Sequence, residues 1–124
     1  MGAEKTILVA DDESHILNVV SLKLRHAGFE VVTATDGGDA LAKARRERPA
    51  LLITDFHMPV LTGVELCIRL REDAAWQAPA ILLTARGNEL TADELAGGGI
   101  VEVINKPFSP RQLLASVSKH LRAA

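Results

Sequence analysis

Five residues of this chain combine useful chemistry with a shared kind of position. Asp11 and Asp12, Asp55, Thr84 and Lys106 are far apart in number, yet each lies at or just past the end of a short apolar run. Three carboxylates gathered together cannot all stay ionised without a cation. They are hard oxygen donors with no soft ligand nearby, which suits Mg²⁺, an ion that takes a few carboxylates and keeps waters for a phosphate-bearing substrate. A carboxylate can also act as a nucleophile and form an aspartyl phosphate. A metal ion and a lysine would then neutralise charge on the transferring oxygens, and a threonine hydroxyl could donate to one of them. Taken singly, each residue has an ordinary explanation. An Asp after a strand is commonly a helix cap, as Asp36 is read here. A Lys before Pro is commonly solvated, and a Thr at a strand end is commonly packing. Five such residues converging at one edge outweigh those separate explanations.

Convergence requires particular elements. Thr6–Ala10, Glu30–Ala34, Ala50–Thr54, Ala80–Thr84 and Val101–Ile104 read as strands. The first, third and fourth are almost continuously apolar, as strands covered on both faces are. The second and fifth carry polar interruptions and are expected at the sheet edges. Helical signals lie between the strands. Ile16, Leu17, Val20 and Leu24 repeat at helical spacing, with Gly28 placed to end the helix. Asp36 or a neighbour opens a second helix, which stops before Pro49. Thr62–Glu65 and Thr91–Glu94 have the pattern of capping boxes, and Ser109-Pro110-Arg111-Gln112 places Ser as cap, Pro first and Gln third. Leu113, Leu114, Val117 and Leu121 form the stripe of a last helix. The weakest helix is the one near Asn88–Ala96, and Gly97–Gly99 after it are expected to be mobile.

Strict alternation of strand and helix predicts a doubly wound α/β fold, a five-stranded parallel sheet with five helices on its two faces. The strand order 2-1-3-4-5, flavodoxin-like, fits this length. In a parallel sheet all strand C-termini share one edge, where open α/β folds bind ligands. This is why the five residues should meet.

Bulk properties narrow the classes. The chain has 124 residues, 48% of them hydrophobic and 24% charged, which suits one domain with a packed core. The net charge of −2 lacks the basic footprint of a nucleic-acid binder. Lys43, Arg45, Arg46 and Arg48 read as a solvated helix face. The single Cys67 excludes an internal disulfide and a cysteine zinc cluster, and its apolar surroundings make it a buried structural thiol. No apolar run approaches the roughly 20 residues that span a bilayer, and Met1–Lys5 has no signal-peptide core. A cytoplasmic location, away from membranes, is expected. His15, His26 and His120 read as surface residues. No G-x-x-x-x-G-K-[S/T] or G-x-G-x-x-G phosphate loop occurs.

Over nearly its whole length the chain resembles the receiver domain of two-component response regulators, the CheY-like family. The resemblance is carried by Ile7-Leu8-Val9-Ala10-Asp11-Asp12-Glu13, Asp55-Phe56-His57-Met58-Pro59-Val60-Leu61-Thr62-Gly63, Leu83-Thr84-Ala85 and Lys106-Pro107-Phe108, in family order and spacing. It implies that Asp55 is a phosphoacceptor, attacking the phosphohistidine of a sensor histidine kinase or histidine phosphotransfer protein. It implies that Asp12, Asp11, Asp55 and the backbone carbonyl of His57 hold Mg²⁺. Thr84, Lys106 and the Ala85 amide would contact the phosphoryl group, with a cis bond before Pro107.

The resemblance also implies a signalling module that changes its protein partners, not an enzyme acting on free substrates and not a direct binder of nucleic acid. Aspartyl-phosphate phosphatases typically carry a second Asp two residues after the nucleophile, where this chain has His57. A degenerate receiver that is never phosphorylated is the alternative, disfavoured because all five residues are present. Residues 1–124 read as one receiver domain with no output domain, either a stand-alone regulator or one domain of a larger protein. Two features depart from the family or vary within it. Receivers usually carry an aromatic three positions before the lysine, and here Val103 occupies that switch position. The expectation is that phosphorylation is kept while its readout through Ala85–Ile104 is unusual. His57 and Arg86, each two residues past a site residue, are expected to tune the lifetime of the phosphoryl group.

Overall fold

The structure, a computed structural model, describes residues 5–73, 76–85 and 90–122. Strands β1 (Thr6–Ala10), β2 (Glu30–Ala34), β3 (Leu51–Asp55), β4 (Ala80–Thr84) and β5 (Ile100–Asn105) alternate with helices α1 (Ser14–His26), α2 (Gly37–Glu47), α3 (Gly63–Arg71), α4 (Ala92–Gly97) and α5 (Pro110–Arg122). All pairings are parallel, in the order β2-β1-β3-β4-β5. The two strands with polar interruptions are the edge strands.

Side-chain alternation divides the core in two. Ile7, Val9, Leu51, Ile53, Ile81 and Leu83 face Leu17, Val20 and Leu24 of α1 and Leu113 and Val117 of α5. Leu8, Ala10, Leu52 and Ala80 face Ala40 and Ala44 of α2 and Leu66, Cys67 and Leu70 of α3. β1, β3 and β4 are buried throughout because each supplies both halves. Cys67 is 1% exposed, and burial pushes its thiol pKa up to about 12, so it packs as an inert thiol.

The helix ends follow their local chemistry. Thr62 and Thr91 each accept from the backbone of the glutamate three residues on, and that glutamate reaches back. Asp36 caps α2 through Asp39, and Ser109 caps α5 through Gln112. Gly28 follows α1 at φ +100°, a conformation most side chains avoid. α2 ends on Arg48 in the left-handed region, directly before Pro49. Lys43 is tied to Asp39 and to the Thr33 carbonyl, while Arg45, Arg46 and Arg48 are exposed, so the basic run is the solvated face expected.

Three details differ from the expectations. α4 begins at Ala92, where the Thr91–Glu94 capping box puts it and short of the Asn88–Ala96 span expected for the helix; Asn88 lies outside the described residues. Gly97–Gly99 form the closing turn of α4 against α3. A Cβ on Gly98 would meet Cys67 Cβ at 2.9 Å, and one on Gly99 would meet the Arg71 guanidinium. Gly98 and Gly99 therefore answer a need for close approach. Third, His120 is not a bare surface residue. Its Nε2 lies 2.9 Å from Glu102 Oε1, and Ser116 donates to the other Glu102 oxygen at 2.8 Å.

Candidate functional site

Each strand delivers its residue to the same edge. β1 ends at Ala10, so Asp11 and Asp12 emerge in the first loop, while β3 ends on Asp55 itself and β4 on Thr84. The strand ends are laced together. Phe56 N–H donates to Leu83 O at 2.9 Å, and Lys106 N–H donates to Thr84 O at 2.9 Å. Gly63 opens α3 beneath this edge, where a Cβ would collide with the Asp55 carbonyl. The glycine lets α3 start directly beside the aspartate.

One carboxylate oxygen from each of Asp11, Asp12 and Asp55 lies within 4.8 Å of the other two. Asp11 is fully buried, Asp55 nearly so and Asp12 exposed, which leaves the cluster open on one side. Desolvation is the main force on Asp11 and Asp55 and leaves both pKa values raised, with a neighbouring carboxylate adding to it in each case. Two buried acids and one exposed acid, all oxygen donors with their charge incompletely compensated, form a donor set that fits a hard divalent cation.

Lys106 completes the cluster. Its Nζ is 2.9 Å from Asp55 Oδ1, 3.1 Å from Asp11 Oδ2 and 2.9 Å from Glu13 Oε1. Burial alone would lower its pKa, but the hydrogen bonds it donates to Glu13, Asp55 and Asp11 outweigh that and hold the ammonium above its usual range. The peptide bond between Lys106 and Pro107 is cis, as expected. Thr84, 1% exposed, ends β4 one residue past Leu83, the strand partner of Asp55. His57 is exposed, its ring 4.7 Å from that of Phe56. Ala85 is exposed next to Thr84, and Arg86 lies outside the described residues. Val103 is half-buried in β5, level with Leu82 of β4.

Glu13 joins the cluster as a residue with no distinctive signal in the sequence. The available signal was a third consecutive acid after the first strand. Its backbone N–H donates to Asp11 Oδ1 at 2.9 Å, so it orients Asp11 and pairs with Lys106 at once.

An open parallel sheet with a basic group and three acids at the carboxyl edge defines a phosphoryl- or metal-handling α/β domain, and the comparisons narrow that class. The family model for the response regulator receiver domain matches residues 7–118. The chain belongs to this family, the receiver domains of two-component response regulators. It is 40% identical over 120 residues to the alkaline phosphatase synthesis transcriptional regulatory protein PhoP of Bacillus subtilis, covering 95% of this chain and 49% of that protein. The chain thus spans about half the length of the curated relatives it matches. The chemotaxis response regulator CheY4 of Vibrio cholerae superposes with a TM-score of 0.84 at 34% identity, covering 96% of this chain and 98% of that one. A CheY-like receiver domain protein of Methanospirillum hungatei gives a TM-score of 0.85 at 28% identity, covering 96% and 94%. The doubly wound fold read from the sequence is the fold of these receivers.

Proposed function

We propose that Asp55 is the phosphoacceptor and that Asp11, Asp12, Asp55 and the His57 carbonyl hold Mg²⁺. The observation that carries this is the pairing of Asp55 with Lys106 at 2.9 Å inside a cluster of three aspartates. An Asp55 oxygen forms a bond to phosphorus as the bond from phosphorus to a partner's histidine nitrogen breaks. The nitrogen leaves with the electron pair, and a proton on the ring's other nitrogen lets the imidazole end neutral. Bound Mg²⁺ supplies charge neutralisation for the phosphoryl oxygens. Lys106 adds a positive charge on the other side, and the Thr84 hydroxyl and Ala85 amide donate to the oxygens. His57, two residues past Asp55, and Arg86, two residues past Thr84 in the sequence, tune the lifetime of the product. Val103 occupies the position through which the change is read out.

The donor is a sensor histidine kinase or a histidine phosphotransfer protein, and the product acts by altered protein binding in the cytoplasm, not by contacting nucleic acid itself. A groove of about 430 Å³ beside Lys106, lined by Ile16, Val19, Pro107, Phe108 and Pro110 among others, gives a docked donor apolar surface next to the site. No described helix is long and apolar enough to cross a membrane.

The test is incubation with phosphoramidate and Mg²⁺, read by intact mass. Wild type should gain one phosphoryl group and Asp55→Asn none. Labelling that survives in Asp55→Asn, or that never occurs in wild type, defeats the proposal.

A further inference from the structure

Lys106 Nζ is fully engaged. An ammonium has three N–H donors and no acceptor. Those donors face three carboxylates, Asp11 at 3.1 Å, Asp55 at 2.9 Å and Glu13 at 2.9 Å. Phosphorylation turns Asp55 from a carboxylate into an acyl phosphate and brings new anionic oxygens to this lysine, which then faces more acceptors than it has donors.

The three carboxylates are not equally free to give way. Asp11 is fully buried, so water cannot replace the lysine at its carboxylate. Asp55 is the group that carries the phosphoryl. Glu13 belongs to neither the metal cradle nor the acceptor, and its side chain is 60% exposed. Released, its carboxylate is taken up by water at little cost. Its service to Asp11 runs through the backbone N–H and continues whatever the side chain does. As N-cap of α1 it makes no side-chain cap bond, so its side chain can leave without loosening the helix.

We propose that Glu13 is a positioning residue. It holds the Lys106 ammonium in the unphosphorylated protein and surrenders it to the phosphoryl group, so that each phosphorylation includes an exchange of carboxylate for phosphoryl at one lysine donor. The inference rests on Asp55 being the phosphoacceptor. It assigns a cost to that step, because the lysine must be released and an extra negative charge stands beside the incoming donor.

The experiment follows the ε-ammonium proton–nitrogen signal of Lys106 by NMR in the full chain, for wild type and Glu13→Gln, with Mg²⁺ and with or without beryllofluoride. Loss of the signal in Lys106→Arg assigns it. Glu13→Gln should move the Lys106 signal without beryllofluoride, and the two proteins' signals should coincide once beryllofluoride is bound. Labelling by phosphoramidate should be about threefold faster in Glu13→Gln, since one like charge is gone from beside an anionic donor. A signal that Glu13→Gln does not move, a difference that persists with beryllofluoride, or labelling that is unchanged or slower overturns the proposal. Failure of beryllofluoride to bind, read from backbone amides around Asp55, would instead remove the phosphoacceptor reading, and this inference with it.

Discussion

At the scale of single residues, burial and charge at the site oppose each other. Asp11 and Asp55 have raised pKa values, chiefly from desolvation. Folded protein therefore holds their protons more tightly than unfolded chain does. Their contribution to stability is present below the ordinary aspartate value of 3.8 and is lost as pH rises through the folded values. A divalent ion reverses this penalty, because it binds the deprotonated carboxylates of the folded state alone. Two outcomes follow. Mg²⁺ should raise the melting temperature near neutral pH, and much less in Asp11→Asn. Its affinity by calorimetry should fall as pH is lowered, with the fall starting at a higher pH than ordinary carboxylates would give. A Mg²⁺ affinity flat down to the ordinary aspartate range would contradict the burial seen at Asp11.

At the scale of elements, the loop from β3 to α3 holds an unusual residue. Val60 has φ +77° and is 75% exposed. A β-branched side chain in the left-handed region is strained by about 1–2 kcal/mol. Val60→Gly should therefore stabilise the fold by about 0.5–1 kcal/mol in denaturant titrations, glycine's greater unfolded entropy taking back part of the gain. A second element-level device is the irregularity between β4 and β5. Ala80 pairs with Ile100 and Ile81 with Glu102, so Val101 is the extra residue of a bulge. Beyond the bulge Glu102 is level with Ile81, whose face packs on α5, and there it meets Ser116 and His120. Burial alone would raise the Glu102 pKa, but the bonds from His120 and Ser116 outweigh it and leave it lowered. That stabilisation is present above the ordinary glutamate value and is lost as pH falls through the folded one. Glu102→Gln should flatten the acid limb of the stability profile, and an unchanged limb would mean that the pair contributes nothing.

These two elements also show what the sequence could and could not disclose. The apolar runs at Ile7, Leu51 and Ile81 and the capping pairs at Thr62 and Thr91 are local signals, so the strand order and four of the helix starts were legible. The convergence of Asp11, Asp12, Asp55, Thr84 and Lys106 followed from topology alone. The bulge at Val101 is set by pairing across strands, and so the partnership of Glu102 with His120 left no local trace. The glycine run after α4 read as slack because its need, the closeness of Cys67 and Arg71, exists only in the folded molecule. Glu13 was hidden in plain view, one acid among three, since nothing local says which of them a lysine 93 positions away will meet.

At the scale of the whole molecule, one sheet supplies both halves of the core. A cavity on either face should therefore lower the stability of the whole fold. Leu52→Ala, on the face of α2 and α3, should cost about 2–5 kcal/mol in urea unfolding without altering the chemistry at Asp55. The readout is the larger question. Val103 is level with Leu82 and has a short, stiff side chain, so it cannot act as a swinging aromatic. Beryllofluoride with Mg²⁺ should shift backbone amides of β4 and β5 through movement of Thr84 and the chain that follows it. Amides between Ala85 and Ile104 that stay fixed would leave this receiver without a switch.

The only tryptophan lies far from all of this. Trp76 Nε1 donates to the carbonyl of Pro49 at 2.6 Å, just before β3 begins, and the Arg71 guanidinium sits over its ring. It therefore occupies the rim where strands start, opposite the one where they end. That position suits a fluorophore that reports loss of the fold and not ion binding. Emission should stay constant through a Mg²⁺ titration and move red only on denaturation, so one cuvette can separate a protein that fails to bind from one that has unfolded.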